Sequence, residues 1–585
     1  MQIRCRLGHF IALTGLLGTT PAYSRVYDHL FANHFETPAD SPASDAEAAR
    51  FLTQATFGPT KAEIARLRAI GYGEWLDEQL GMSATLERPN VEAVIDARTA
   101  GGQSVGQSQR HDRWFWVAAY APDQLRQRMA WALSQIFVIS DRSSQLSQYV
   151  VAMADYYDRL AIDAFGGYRS LLGDVTFHPM MGRYLSHYHN QKPSAATQPD
   201  ENYAREVMQL FSVGLELRNL DFSLSGGVPV PTYDQTVITH TAKVFTGFTY
   251  SDAPTNPPNF YGGAITYAGT YSPMACWGTE LFGAADKNMR HDITGDDGTT
   301  ATPKTVLGGL TIAPNQTCHA DVNDELDIIA GHMNVAPFIS RQLIQRFVTS
   351  NPSPAYIQRA AEVFEDNGAP EHERGDLGAV IRAILTDSEA RTAPATAEFG
   401  KLREPLLRLT ALWRAWDAHA QPADAYGEVP MMAGTSFSLT NFAQRPLSSP
   451  TVFNFYLPDY QQPGTYADAN LYSPEFQITN ESTTYTAANT LYRFSASAYL
   501  GMANPKTDRP LLDLSALIAN ATNPGAMVDE ANLRMLYGSM SPAMRTTLIN
   551  MLANIGSSGA SSAANEKAWS LVYLISISPE YGAQR

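Results

Sequence analysis

Residues 199–214, PDENYAREVMQLFSVG, concentrate more chemically capable side chains than any other stretch of the chain. The run reads as one helix. Asp200 can cap its start, Glu201 adds negative charge at the positive end of the dipole, and Gly214 stands where a left-handed C-cap falls. Tyr203, Val207, Leu210 and Phe211 are spaced i, i+4, i+7 and i+8, which makes one stripe to bury. Asn202, Arg205, Glu206 and Gln209 make a polar stripe. In a catalytic reading, Glu201 or Glu206 is the general acid or base, and Arg205 and Asn202 bind a polar substrate. The same spacing describes two ordinary helix-surface pairs, Glu201–Arg205 and Asn202–Glu206, or a buried ion network that locks helices together.

Histidines supply the next candidates. His187 and His189 can present two imidazoles to one metal if their segment is extended or looped, with His240 or His291 as a third ligand. Tyr184, Leu185 and Tyr188 instead predict a helix to about residue 188, which splays the two rings apart, so no metal and no cofactor is assigned. His291-Asp292 lies before a Gly-rich turn and Lys304, and either assists acid–base chemistry or caps a turn. Asp321-x-Asn323-x-Glu325 begins like a calcium loop. Position six is Leu326 and position twelve is His332, so a helix start is the better reading. There is no GxSxG nucleophile elbow, no CxxC and no glycine pair in phosphate-cradle context.

These residues need a framework of helices. The chain has 585 residues, 44% hydrophobic, enough for several cores. A net charge of −16 argues against a nucleic-acid face and against an anionic membrane surface. Residues 1–24 read as a signal peptide: Arg4 and Arg6, a short apolar core from Phe10, and small residues at Ala22 and Ser24. That core is too short to span a bilayer, and no later stretch reads as a membrane span. The three cysteines are Cys5, which leaves with the signal, and the pair Cys276 and Cys318. In an oxidising compartment the pair can form a disulfide, and two free thiols are the alternative.

Ser44 with Glu47, and Thr60 with Glu63, read as capping boxes. Asp123 reads as the cap of a helix carrying Leu125, Met129 and Leu133, and the Gly/Gln/Ser-rich residues 97–111 read as a loop. Residues 215–322 break the helical pattern with GGVPVPTY, APTNPPNFYGG and TYAGTYSPMACW. One helix near 234–246 interrupts this Gly/Pro/Tyr-rich excursion, and short strands and ordered loops are expected for the rest. The parts are thus a signal peptide (1–24), an N-terminal helical part (25–214), the excursion (215–322), a second helical part (323–480) and a C-terminal helical part (481–585). The fold class is mainly α and multi-helical.

Several motifs together carry a resemblance. Beside the 199–214 run stand RFLTQATFGPT (50–60), HPMMGRYLSHYHNQK (178–192), YDQTVITHTAKVFTGF (233–248), GDLGAVIRAILTDSEAR (375–391), KLREPLLRLTALWRAW (401–416) and SPTVFNFYLPDY (449–460). Over residues 45 to 480 the chain resembles the bacterial family catalogued as domain of unknown function 1800. The resemblance implies a large, secreted, mostly helical protein and no particular activity. It implies a co-exported partner of the sulfatase/phosphatase-like superfamily. His187, Asn190 and Lys192 fit the family pattern, as does a His-acidic pair followed by a lysine.

Two readings follow. The first is an exported protein, periplasmic or extracellular, that binds a secreted partner or an extracellular polymer through the aromatic excursion, since aromatics anchor interfaces and stack on sugars. The second is a hydrolase or lyase on a polar extracellular substrate. Its catalytic residues would be Glu201, Glu206, His291 and Asp292, and its binding residues Asn202, Arg205, His187 and Lys192. The enzyme requires Glu201, Arg205 and His291 to converge in one pocket.

Overall fold

A computed structural model describes residues 40–585 apart from 265, 279–280, 282–289, 296–301, 393–395, 397, 433–440, 497–506 and 557–561. The signal-peptide reading lies outside these residues. The longer helices before the excursion are α1 (Asp45–Ala55), α2 (Lys61–Gly81), α3 (Arg88–Ala100), α4 (Gln107–Tyr120), α5 (Gln124–Ser134), α6 (Val150–Ile162), α7 (Tyr168–Phe177), α8 (Pro179–Tyr184) and α9 (Asn202–Gln209). The excursion carries α10 (Gln235–Val244) and α11 (Tyr267–Tyr271). Beyond it come α12 (Cys318–Gly331), α13 (Val335–Phe347), α14 (Pro354–Glu365), α15 (Leu377–Thr386) and α16 (Pro405–Ala415). The C-terminal part holds α17 (Glu481–Ala496), α18 (Pro524–Leu536), α19 (Pro542–Asn554) and α20 (Ala563–Ser576). The fold is mainly α.

Short antiparallel pairs punctuate the helices. β1 (Phe248–Thr249) pairs with β2 (Ala275–Cys276), and β3 (Lys304–Thr305) with β4 (Thr311–Ile312), both inside the excursion. β5 (Lys401–Leu402) pairs with β6 (Ala583–Gln584), so the end of the chain returns to the start of α16. One apolar core runs from Ala48 to Tyr581 and takes residues from the three helical parts and the excursion. Its aromatic centre includes Trp114, which meets Phe115 at 5.0 Å edge-on and Trp131 at 5.1 Å.

Local chemistry explains the joints. Thr60 Oγ1 accepts from Glu63 N at 3.1 Å and Glu63 accepts from Thr60 N at 3.0 Å, the expected reciprocal box. Glu63 also takes both 2.6 Å bonds from Arg414 of α16, which joins the two halves. Gly58, in the FGPT motif, sits at φ +127°, and a Cβ there would fall 2.5 Å from Ala411 Cα. Only glycine lets α16 pass so close. Gly71, at φ +83°, breaks α2 into two segments where the sequence predicts a stop.

Some expectations are corrected. The loop at 97–111 shrinks to 101–106, because Gln109 Oε1 accepts from Gly106 N at 2.9 Å and starts α4 early. Asp123 does not cap α5. Its carboxylate accepts from Thr85 N (2.8 Å), Thr85 Oγ1 (2.6 Å) and Gln127 Nε2 (2.9 Å), and so pins the α2–α3 connection instead. The helix predicted to reach 188 ends at Tyr184, since Ser186 and His189 take φ of 67° and 65°. At Ser44 only half a box forms: Ser44 Oγ accepts from Glu47 N, but Glu47 accepts from Ala43 N rather than from Ser44.

Candidate functional site

α9 begins one residue later than its caps suggest, with Asp200 Oδ1 accepting from Asn202 N at 2.9 Å. Tyr203, Val207 and Phe211 are buried as the stripe predicts, Leu210 is only half-buried, and Gly214 is left-handed at φ +72°, although the helix itself ends at Gln209. On the other face Glu201 is held by three donors. Arg205 Nη2, Gln235 Nε2 and Thr239 Oγ1 each reach its carboxylate at 3.0 Å, so α9 is clasped to α10. Asn202 lies exposed at the first turn. The Arg205 and Glu201 side chains are 40% and 32% exposed. Arg205→Ala is therefore expected to lower stability by less than about 1 kcal/mol, read as a small shift in the urea midpoint.

Glu206 differs. It is half-buried, Oε2 has no hydrogen-bond partner among the described residues, and burial raises its pKa against the opposing charge of Arg205. Tyr184 and Tyr233 stand in its field. Burial, with the Glu206 charge, pushes each phenol up to about 12. The arrangement is a carboxyl whose proton affinity burial raises, with two tyrosines near enough to feel its charge.

The His-Asn-Gln-Lys segment works as a clasp. His187 is buried, with Nε2 2.8 Å from Thr176 O and its ring 3.9 Å from that of Tyr203, and burial lowers its pKa to about 4. Asn190 accepts from Asp200 N at 2.9 Å and donates to Asp200 O at 3.1 Å, fixing the entry to α9. Lys192 is exposed, and its backbone N donates to Arg290 O at 2.8 Å.

His291 lies elsewhere. Its ring sits between Thr246 O (3.0 Å) and Asp321 Oδ2 (2.9 Å), and Lys304 Nζ reaches the same Asp321 oxygen at 2.5 Å. His291, Lys304 and Asp321 are all 0% exposed. Burial alone would raise Asp321, but the His291 and Lys304 contacts outweigh it and lower its pKa. Glu325, one turn along α12, accepts from Thr241 Oγ1 at 3.0 Å and is pushed up to about 8, chiefly by burial. Asp292 turns away to Thr294 at 3.0 Å. The hydrogen-bond partners of His291, Thr246 and Asp321, differ from those of Glu201, which are Arg205, Gln235 and Thr239. Among the same residues, no group of three or more His, Cys, Asp or Glu side chains is placed to hold a metal ion.

The excursion does build a concave surface. A groove of about 650 Å³ lies between α3, the start of α6 and α11, with Asp96, Gln148, Tyr149, Thr266 and Tyr267 on its walls. Tyr267 is 37% exposed, and burial, then the charges of Asp96 and Glu92, raise its pKa. Thr266 caps α11 by accepting from Gly269 N at 3.3 Å. Beneath α11, Tyr271 stacks under the Arg88 guanidinium at 4.6 Å. Tyr149 also packs against Arg183, which lies 4.6 Å from the Tyr188 ring and 2.6 Å from the Tyr250 hydroxyl. Sequence reasoning names none of the wall residues singly. The aromatic run TYAGTY is the one signal that points there.

Cys276 and Cys318 form a disulfide that ties β2 to the first residue of α12. No helix among the described residues is long and apolar enough to cross a membrane. A family model described as "Protein of unknown function (DUF1800)" matches residues 50–583. No curated protein and no solved structure matches the chain.

Proposed function

We propose a binding role for this chain, which belongs to the DUF1800 family: it is an exported protein that holds a segment of a neutral extracellular polymer in the groove between α3, α6 and α11. The groove is the observation that carries this reading. It combines two tyrosines with a carboxylate, an amide and a hydroxyl, the mixture that stacks on and hydrogen-bonds a sugar chain. A concave groove suits an extended chain, whereas a folded partner needs a broad face of roughly 800 Å² per side. The net charge of −16 favours a neutral polymer over an acidic one. The disulfide fits an oxidising, exported setting, as the reading of residues 1–24 requires.

The test is affinity electrophoresis of the whole chain through gels containing soluble neutral polysaccharides, a glucan, a mannan and a galactan. Retardation by at least one is expected, with Tyr267→Ala weakening it about tenfold, or about 1.4 kcal/mol. No retardation by any of them, or equal retardation of Tyr267→Ala, overturns the proposal. The catalytic reading keeps one specific support, the half-buried Glu206, whose Oε2 has no hydrogen-bond partner among the described residues and whose pKa burial raises. His291 makes its contacts with Thr246 and Asp321, within a buried ion network.

A further inference from the structure

On the other side of α3, between α3, α4 and the turn at 424–428, lies a separate pocket of about 230 Å³. The turn is built by Asp424, whose Oδ1 accepts from Tyr426 N (2.8 Å) and Glu428 N (3.0 Å). Arg98 of α3 anchors it, with Nη2 3.0 Å from Asp424 Oδ2 and Nε 2.7 Å from Glu428 Oε2. Gln109 of α4 donates to both Glu428 oxygens, at 3.3 and 3.2 Å. Glu428 is thereby fixed in the wall it shares with Asp112 of α4, itself held by Met431 N at 3.2 Å and Met432 N at 3.0 Å on Oδ1. Both carboxyl groups line this pocket, and the Glu428 charge joins burial in raising the proton affinity of Asp112.

The rest of the pocket is divided. Trp116 and two valines form an apolar wall, and Asn90, exposed on α3, adds an amide to the polar one. Arg113 lies 4.4 Å from the Trp116 ring and donates to Leu86 O at 3.1 Å. With a proton on Asp112, the charges lining the pocket are Arg113 and Glu428, one of each sign. The pocket then attracts neither a cation nor an anion by net charge. We propose that it binds one uncharged, hydroxyl-bearing ring the size of a single sugar residue, hydrogen-bonded by the Asp112–Glu428 pair and Asn90 and packed on Trp116. Burial, then the Glu428 charge, holds the Asp112 pKa up at about 7. Above that value the donor is lost and two adjacent carboxylates repel, so binding weakens as the pH rises through neutrality.

The experiment is saturation-transfer NMR on the whole chain with the methyl glycosides of glucose, galactose, mannose and N-acetylglucosamine, about one unit below and one unit above that value. At least one glycoside is expected to bind, more weakly at the higher pH. Asp112→Asn keeps an N–H donor beside Glu428 without a titrating proton, so it should bind alike at both pH values. The exposed substitution Asn90→Ala should weaken binding roughly threefold or more without disturbing the fold. No transfer to any glycoside from wild type, or a pH profile of Asp112→Asn identical to wild type, overturns the inference. Tyr267→Ala leaves this binding unchanged, so the pocket and the groove stand or fall separately.

Discussion

Asp321→Ala is expected to destabilise the protein more than any other single substitution considered, by roughly 3–5 kcal/mol. Asp321 is 0% exposed and accepts from His291 at 2.9 Å, Lys304 at 2.5 Å and Gln316 at 3.1 Å. Its removal leaves the Lys304 ammonium inside the protein without the charge that allows it to be there. The Coulombic gain of a buried pair and its desolvation cost nearly cancel, so the loss measures the stranded cation rather than the worth of the bond. Pairing Asp321→Leu with Lys304→Met should recover much of the loss, because both buried charges then disappear together. Urea unfolding of the three proteins checks this. A midpoint for Asp321→Ala equal to wild type would mean the network does not hold the excursion to α12.

Loss of the Cys276–Cys318 disulfide is the second large effect. The bond closes a loop with a sequence separation of 42, for which chain entropy gives about 4 kcal/mol. Cys276→Ser with Cys318→Ser should lower the urea midpoint and open the chain around residues 250–278 to limited proteolysis. It should also weaken polysaccharide binding, because α11, the outer wall of the groove, precedes β2 by only a short turn. Unchanged proteolysis after reduction would show that the β1–β2 pairing and the Asp321 network hold the excursion without help.

Features encoded within one turn of helix are legible in the sequence. The Thr60–Glu63 box, the break at Gly71, the buried stripe of α9 and the Glu201–Arg205 pair all depend on residues a few positions apart. The cysteine pair is legible because only one pairing is open once Cys5 is set aside. What the sequence conceals depends on distant segments. His291 reads as a partner of adjacent Asp292, yet its carboxylate is Asp321, brought in by α12. Asp123 reads as a cap, but a stronger set of donors at Thr85 claims it. The groove draws its walls from residues near 96, 149 and 267, and the Asp112–Glu428 pair joins a helix to a turn of the second helical part. No spacing rule reaches across such separations.

The central claim is that the groove holds the polymer. Hydrogen exchange of the whole chain, with and without the polysaccharide that retards it most, tests this most directly. The account predicts slowed exchange in residues 148–152 and 266–271. Protection confined to residues 201–206 and 233–239, on the face of Glu201 and Glu206, would contradict it and move the site to α9.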